Sequence, residues 1–136
     1  MHPDPWLWLL QANDTAYPSG SYAHSFGLEE LVETGVVKTA ADLETFLENQ
    51  VLPALLTFEI PHFVKAHACV LANDIDALLA LDAELDAWRI PFELRDASRR
   101  IGSQRLDLLH QLDPSPLVTE IKNRSPRCHH LIVTAL

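Results

Sequence analysis

The sequence predicts an all-α protein, an irregular multi-helix bundle of roughly six to seven helices with no sheet, in a single domain over residues 1–136. Leu and Ala dominate a composition that is 48% hydrophobic, and both residues favour helix. The chain has only 4 glycines, and it lacks the alternating runs of β-branched residues that predict strands. Apolar residues instead recur at three- and four-residue steps, which is the period of an α-helix.

The first part of the chain predicts two helices joined by a loop. Trp6–Ala12 forms a short first helix, because the prolines just before it suit a first turn. Asn13–Gly20 has the residues of a turn. A second helix over Tyr22–Thr34 is capped by Ser21 and ended by Gly35 in a left-handed conformation.

A third helix begins after Thr39, with Asp42 three residues on as the acidic partner in the first turn. Pro53 and Pro61 lack the N–H of a helical residue and clash with the preceding turn. The sequence therefore predicts either new helices starting at these prolines or one long kinked rod. No stretch is apolar for the length of a membrane span.

Two further helices have a clear period. After the turn at Asn73-Asp74, a helix carries a mostly apolar stripe of Ile75, Leu78, Leu79, Asp82, Leu85 and Trp88. The best-defined helix covers Phe92–Leu112, with a predicted inner face of Leu94, Ala97, Ser98, Ile101, Leu108 and Leu112. On it, Asp96 stands in the favourable order to pair with Arg99 and Arg100.

The last residues predict a short helix over Leu117–Asn123 and then an apolar segment, His129–Leu136. That segment has the pattern of a helix cut near its start, so we expect the chain to be a fragment of a longer fold.

Composition and charge exclude several functions. The formal net charge is -9, and the residues up to Trp88 include 14 acidic and 2 basic side chains. Nucleic-acid binding needs a basic footprint, so it is not expected. The glycine-rich patterns that cradle phosphates are missing. Two cysteines and no signal sequence favour the cytoplasm.

No catalytic residue is predicted. Ala23–Gly27 is a relaxed nucleophile-elbow pattern around Ser25, but the elbow requires a preceding strand and none is indicated. The carboxylate groups at Glu29/Glu30 and at Asp82/Glu84/Asp86 lack surroundings that would raise a pKa, so they predict solvated helix faces.

The local cluster Cys128-His129-His130 leaves an alternative open, a small helical protein that binds nickel or zinc. Structural metal sites pair two such clusters at defined spacing, and the sequence has no second one. A buried thiol and helix-start histidines are the favoured interpretation, with no metal ligand and no cofactor.

Two motifs resemble one family. The first combines Trp8-Leu9-Leu10-Gln11 with Tyr17–Glu29, which reads as an aromatic-proline turn followed by G-S-[FY]-x-x-S-x-G-L-E. The second is Glu93–Gly102, which is similar to E-L-R-x-A-S-x-x-x-G. Both resemble the amino-terminal part of the urease accessory protein UreF, in the same order.

The resemblance implies an all-helical protein without enzymatic activity. UreF proteins bind UreD (also called UreH), and the pair binds apo-urease and recruits UreG, the GTPase that supplies nickel. The family uses a carboxy-terminal part, which the resemblance does not reach, for dimerisation and partner binding, so a homodimer is a further partner that the resemblance implies. The positions that the resemblance assigns to partner contact or family structure are Tyr17, Pro18, Gly20, Ser21, Tyr22, His24, Ser25, Gly27, Glu29, Arg95, Ser98 and Gly102. Internal helix packing is the alternative role, above all for Gly102 in mid-helix.

Overall fold

A computed structural model describes Asp4, Trp6, Leu7, Leu10 and residues 27–136. From Gly27 onward this part of the chain forms six helices and no strand, which confirms the all-α prediction. The helices are α1 (Leu28–Glu33), α2 (Ala40–Leu71), α3 (Ile75–Trp88), α4 (Phe92–Leu112), α5 (Pro116–Arg124) and α6 (His130–Thr134). The predicted loop Asn13–Gly20 and the cap at Ser21 lie outside the described residues.

Turn chemistry sets the ends of the early helices as predicted. Gly35 follows α1 with φ of 72°, a left-handed conformation that a side chain would strain. Thr39 and Asp42 form a reciprocal capping box at the start of α2. The backbone N–H of Asp42 donates to Thr39 Oγ1 at 3.2 Å, and the N–H of Thr39 donates to Asp42 Oδ2 at 2.8 Å.

Helix α2 runs through both of its prolines, so the structure has the single-rod form of the two predicted alternatives. A π-turn lies just before each proline, at Leu47–Val51 and at Leu55–Glu59. In each turn the closing N–H reaches back five residues, from Leu52 to Leu47 and from Ile60 to Leu55. The wider turn makes room for the proline ring against the preceding carbonyls, so the helix continues.

Because α2 is continuous, the expectation that no segment reaches the length of a membrane span needs correction. Over Ala40–Leu71 the helix is long and apolar enough to cross a membrane by length and composition alone. That is weak evidence, because core helices of soluble proteins pass the same test. The inner side of α2 packs on the rest of the protein, with Ala66 fully buried.

The core lies between α2, α3, α4, α5 and α6. Its fully buried members include Leu85 on α3, Leu106 on α4, Ile121 on α5 and Ile132 on α6. Among the described helices, the most extensive packing between two separate helices is that of α6 on α4. Segment 128–136 is therefore part of the core, and the expectation that Cys128 is a buried thiol is confirmed.

Two predicted inner faces were partly wrong. On α3, Trp88 is 64% exposed although it was placed on the apolar stripe. On α4, Leu94 and Leu112 are exposed, and Leu106 and Leu109 are buried instead. The buried face of α4 includes polar residues and a glycine as well as apolar residues, which is why its position was not predicted correctly. Its buried residues are Ser98, Ile101, Gly102, Arg105, Leu106 and Leu109.

Candidate functional site

The second motif lies where α4 meets the turn before α6. Gly102 is at the centre of this contact. A Cβ added there would collide with the carbonyl oxygen of Cys128 and would lie 2.7 Å from the backbone nitrogen of His130. Only glycine allows the backbone of residues 128–130 to lie this close to α4. Next to it, the Ser103 hydroxyl donates to the carbonyl of Pro126 at 2.9 Å.

His129 connects three elements at this junction. Its backbone N–H donates to Asp82 Oδ1 on α3 at 2.7 Å. Its ring lies between Ser98 Oγ on α4, 3.1 Å from Nδ1, and Asp86 Oδ1 on α3, 3.2 Å from Nε2. A carboxylate can only accept, so Nε2 carries the proton and Nδ1 accepts from the serine hydroxyl. The residue is 0% exposed and its bonds to Asp82 and Ser98 are buried, whereas the bond to Asp86 is only partly shielded from water.

The electrostatics keep this histidine neutral. Burial lowers the pKa of His129 to about 4, against a smaller upward effect of its hydrogen bond to Asp86. Burial raises the pKa of Asp82, and the N–H of His129 opposes that rise. The pKa of Asp86 is lowered, chiefly by its hydrogen bond from Arg99. The cluster at neutral pH therefore pairs an uncharged imidazole with an ionised Asp86.

Arginines of the second motif enclose the cluster. Arg99 Nε donates to Asp86 Oδ1 at 2.7 Å, and its Nη1 donates to the carbonyl of Arg127 at 3.2 Å. Arg95 Nε lies 3.9 Å from Asp86 Oδ1, a longer ion pair at the edge. Asp96 pairs with Arg127 at 3.2 Å. The described contacts thus link α4 to other segments, whereas the sequence predicted pairs within the helix.

Ser98, His129 and Asp86 are the residue types of a hydrolase triad, but their arrangement does not serve catalysis. Ser98 and His129 are both buried, and the serine meets Nδ1 rather than Nε2. A nucleophile needs access to substrate and donors for the oxyanion. The open cleft between α2 and α6 is lined by other residues: Glu59, Ile60, Phe63, His130, Leu131 and Thr134. The cluster joins helices; it does not present a reactive group.

The Cys128-His129-His130 cluster does not converge on one point. Cys128 Sγ donates to the carbonyl of Ser125 at 3.2 Å, and burial raises the pKa of this thiol to about 11. His129 faces α3 and α4, whereas His130 lines the cleft beside α2. Among residues 27–136 and the few others described, no group of three His, Cys, Asp or Glu side chains is placed to hold a metal ion. The structure therefore gives no support to the metal-binding alternative.

The twelve positions assigned by resemblance fall into three groups. Tyr17, Pro18, Gly20, Ser21, Tyr22, His24 and Ser25 lie outside the described residues. Gly27 and Glu29 are exposed at the start of α1, where Gly27 has φ of 96°. Arg95, Ser98 and Gly102 share one side of α4, with the last two buried.

The two acidic residues of this cluster, Asp82 and Asp86, were not predicted from the sequence to belong to it. Asp82 was assigned to a solvated face with an ordinary pKa, yet it is 5% exposed and its pKa is raised. One signal was available, because Asp82 falls on the apolar stripe of α3 with Leu78 and Leu85. A carboxylate at a core position predicts a buried polar partner.

The fold and the cluster define a class, an all-α protein whose buried polar residues fix one helix junction. The comparisons then identify the family. The UreF family model matches residues 37–136, a range that includes the second motif. The chain belongs to the UreF family.

Three curated relatives carry the name urease accessory protein UreF. The protein of Actinobacillus pleuropneumoniae is 32% identical over 114 residues, which are 84% of this chain and 50% of the relative. That of Microcystis aeruginosa is 34% identical over 109 residues, 80% of this chain and 49% of the relative. That of Trichormus variabilis is 28% identical over 130 residues, 96% of this chain and 56% of the relative. The chain spans about half the length of these relatives, and no solved structure matches it.

Proposed function

We propose that this chain acts in the maturation of urease, as a UreF-type accessory protein of the cytoplasm that helps to assemble the nickel metallocentre. In this proposal it binds UreD (UreH), and the pair binds apo-urease and recruits UreG, whose GTP hydrolysis it regulates. The observation that carries the proposal is the UreF match over residues 37–136, supported by relatives that are named as urease accessory proteins.

The chemistry of the described residues is consistent with a binding role. Among the described residues, the one arrangement of catalytic residue types is Ser98–His129–Asp86, and its serine and histidine are both buried. We propose that nucleotide hydrolysis belongs to UreG and that nickel is a cargo, with no resident cofactor in this chain.

We propose two different roles for the signature residues. Ser98 and Gly102 are buried at the α4–α6 junction, so their role is to keep the fold in one geometry. Glu29 is exposed beside a glycine-stabilised helix start, and Arg95 is half-exposed at the edge of the cluster. These two, together with the Tyr17–Ser25 segment, are the proposed partner contacts.

The test is co-purification of the tagged 136-residue chain with UreD from the same cells. We expect a stable complex, and we expect the double variant Glu29→Ala/Arg95→Ala to lose it while keeping the helical circular dichroism of the parent. Glu120→Ala is the matched control, because Glu120 is an exposed acid on α5 that belongs to neither motif. A folded chain that captures no UreD would overturn the proposal.

A further inference from the structure

One side of α2 presents apolar residues to solvent along much of its length. Leu52, Leu56, Ile60 and Val64 follow one another at four-residue steps and share this side. Leu56 is 63% exposed and Val64 is 60% exposed. We call these four residues the α2 stripe. Scattered exposed apolar residues are ordinary, but a continuous stripe on one helix marks a surface that another element covers.

The opposite side of α2 is already occupied. Ala66 and His62 are buried there, and Phe58 and Cys69 pack on the core. The α2 stripe is thus the solvent-exposed face of a helix whose opposite face packs on the core. A bilayer fits this face poorly, because Glu44, Glu48 and Glu59 lie along the same helix with Lys65 as its one basic residue. Surface helices that bind membranes are usually rich in Lys and Arg.

A cleft next to the stripe has the form of a socket for a side chain. It has a volume of about 230 Å³ and lies between α2 and α6, with Ile60 and Phe63 on one wall and Leu131 on the other. His130 also lines it, and its Nδ1 is buried with no hydrogen-bond partner among the described residues. The lining of the cleft is mainly apolar, so an apolar side chain of a protein segment fits it.

The length of the relatives indicates the source of such a segment. The matched region is 50% of the Actinobacillus protein and 49% of the Microcystis protein, so about as much chain again lies outside the match. We infer that the α2 stripe and its cleft are an internal interface of the complete UreF fold, and that the occupant is a helix from this unmatched half with one large apolar side chain in the cleft. This inference does not depend on the proposed function.

The test measures how fast an engineered thiol on the stripe reacts with a maleimide. Leu56→Cys is made in a Cys69→Ser background, in the 136-residue chain and in a fusion that joins this chain to the unmatched half of the Actinobacillus relative. We expect labelling at least about tenfold slower in the fusion, because a covered side chain reacts only after local opening. Asp113→Cys, on the exposed turn after α4, is the control and is expected to react equally in both proteins.

Four results would overturn the inference. The first is equal labelling of Leu56→Cys in the chain and the fusion. The second is a fusion that aggregates, because the stripe would then still be uncovered. The third is protection of Leu56→Cys in the 136-residue chain alone as it dimerises, which would make a second copy the occupant. The fourth is flotation of that chain with phosphatidylcholine vesicles, lost in Leu56→Glu, which would assign the stripe to a membrane.

Discussion

Replacing Gly102 by alanine tests whether the α4–α6 junction depends on close backbone contact. The added Cβ would collide with the carbonyl oxygen of Cys128 and would lie 2.7 Å from His130 N and 2.8 Å from the carbonyl carbon of His129. All three neighbours are backbone atoms, so no side chain can rotate away. The segment 128–130 must move, and its movement stretches the 2.7 Å hydrogen bond from His129 N–H to Asp82.

The expected cost can be worked from these contacts. Overpacking of a filled core costs about 1–3 kcal/mol. Losing a hydrogen bond to a buried carboxylate adds about 1.5–3 kcal/mol. Alanine regains about 1 kcal/mol over glycine in a helix interior. We therefore expect Gly102→Ala to lower the free energy of unfolding by about 2–4 kcal/mol, which in a domain of this size lowers Tm by roughly 6–15 °C.

Urea and thermal unfolding followed by circular dichroism measure this loss. Gln104→Ala, an exposed position two residues along the same helix, is the matched control and should change the free energy of unfolding by less than about 0.5 kcal/mol. If Gly102→Ala were as stable as the parent, or more stable, helix propensity would dominate and the close-contact explanation would be refuted.

Two further predictions concern the same cluster. The pKa of His129 is about 4 in the folded chain and near 6.5 in the unfolded chain, so the unfolded chain binds more protons. The free energy of unfolding therefore falls as pH drops below about 6.5, and His129 accounts for about 2–3 kcal/mol of this loss. Asp82, with a raised pKa, acts in the opposite direction over the carboxyl range. His130, whose pKa burial also lowers to about 4, acts in the same direction as His129. Urea midpoints between pH 7 and 5 should therefore fall, and less steeply in a His129→Gln variant, which keeps His130; a variant that falls as steeply as the parent would contradict the assignment to His129. In the native chain a thiol reagent should label the half-buried Cys69 well before Cys128, because Cys128 is 0% exposed and its thiol has a pKa of about 11. Equal labelling rates for the two cysteines would contradict the burial of Cys128.

Local rules predicted the helices well. The limits of α4, Phe92–Leu112, followed from its period and from the prolines around it. The cap at Thr39 and the left-handed Gly35 followed from turn chemistry that acts over a few residues. The sequence left open whether α2 continues through Pro53, because a proline alone does not predict the π-turn that accommodates it.

The buried cluster was less accessible to sequence reasoning, because its contacts join distant residues. His129 and Asp82 are 47 positions apart, and nothing local indicates that they meet. Gly102 was recognised as a site of close helix approach, but the neighbour that needs it, the Cys128 carbonyl, could not be named. The exposed α2 stripe has the same helical period as a buried face, since periodicity shows which residues share a side and not what covers them.

Complex formation with UreD tests the central claim most directly. Co-expressed with UreD, the 136-residue chain should elute from a sizing column in a complex whose mass by light scattering equals the sum of whole copies of both chains. Glu120→Ala should leave that complex intact, and Glu29→Ala/Arg95→Ala should remove it. Separate elution of UreD and a folded, helical chain would contradict the proposal that this UreF-family chain works by binding in urease maturation.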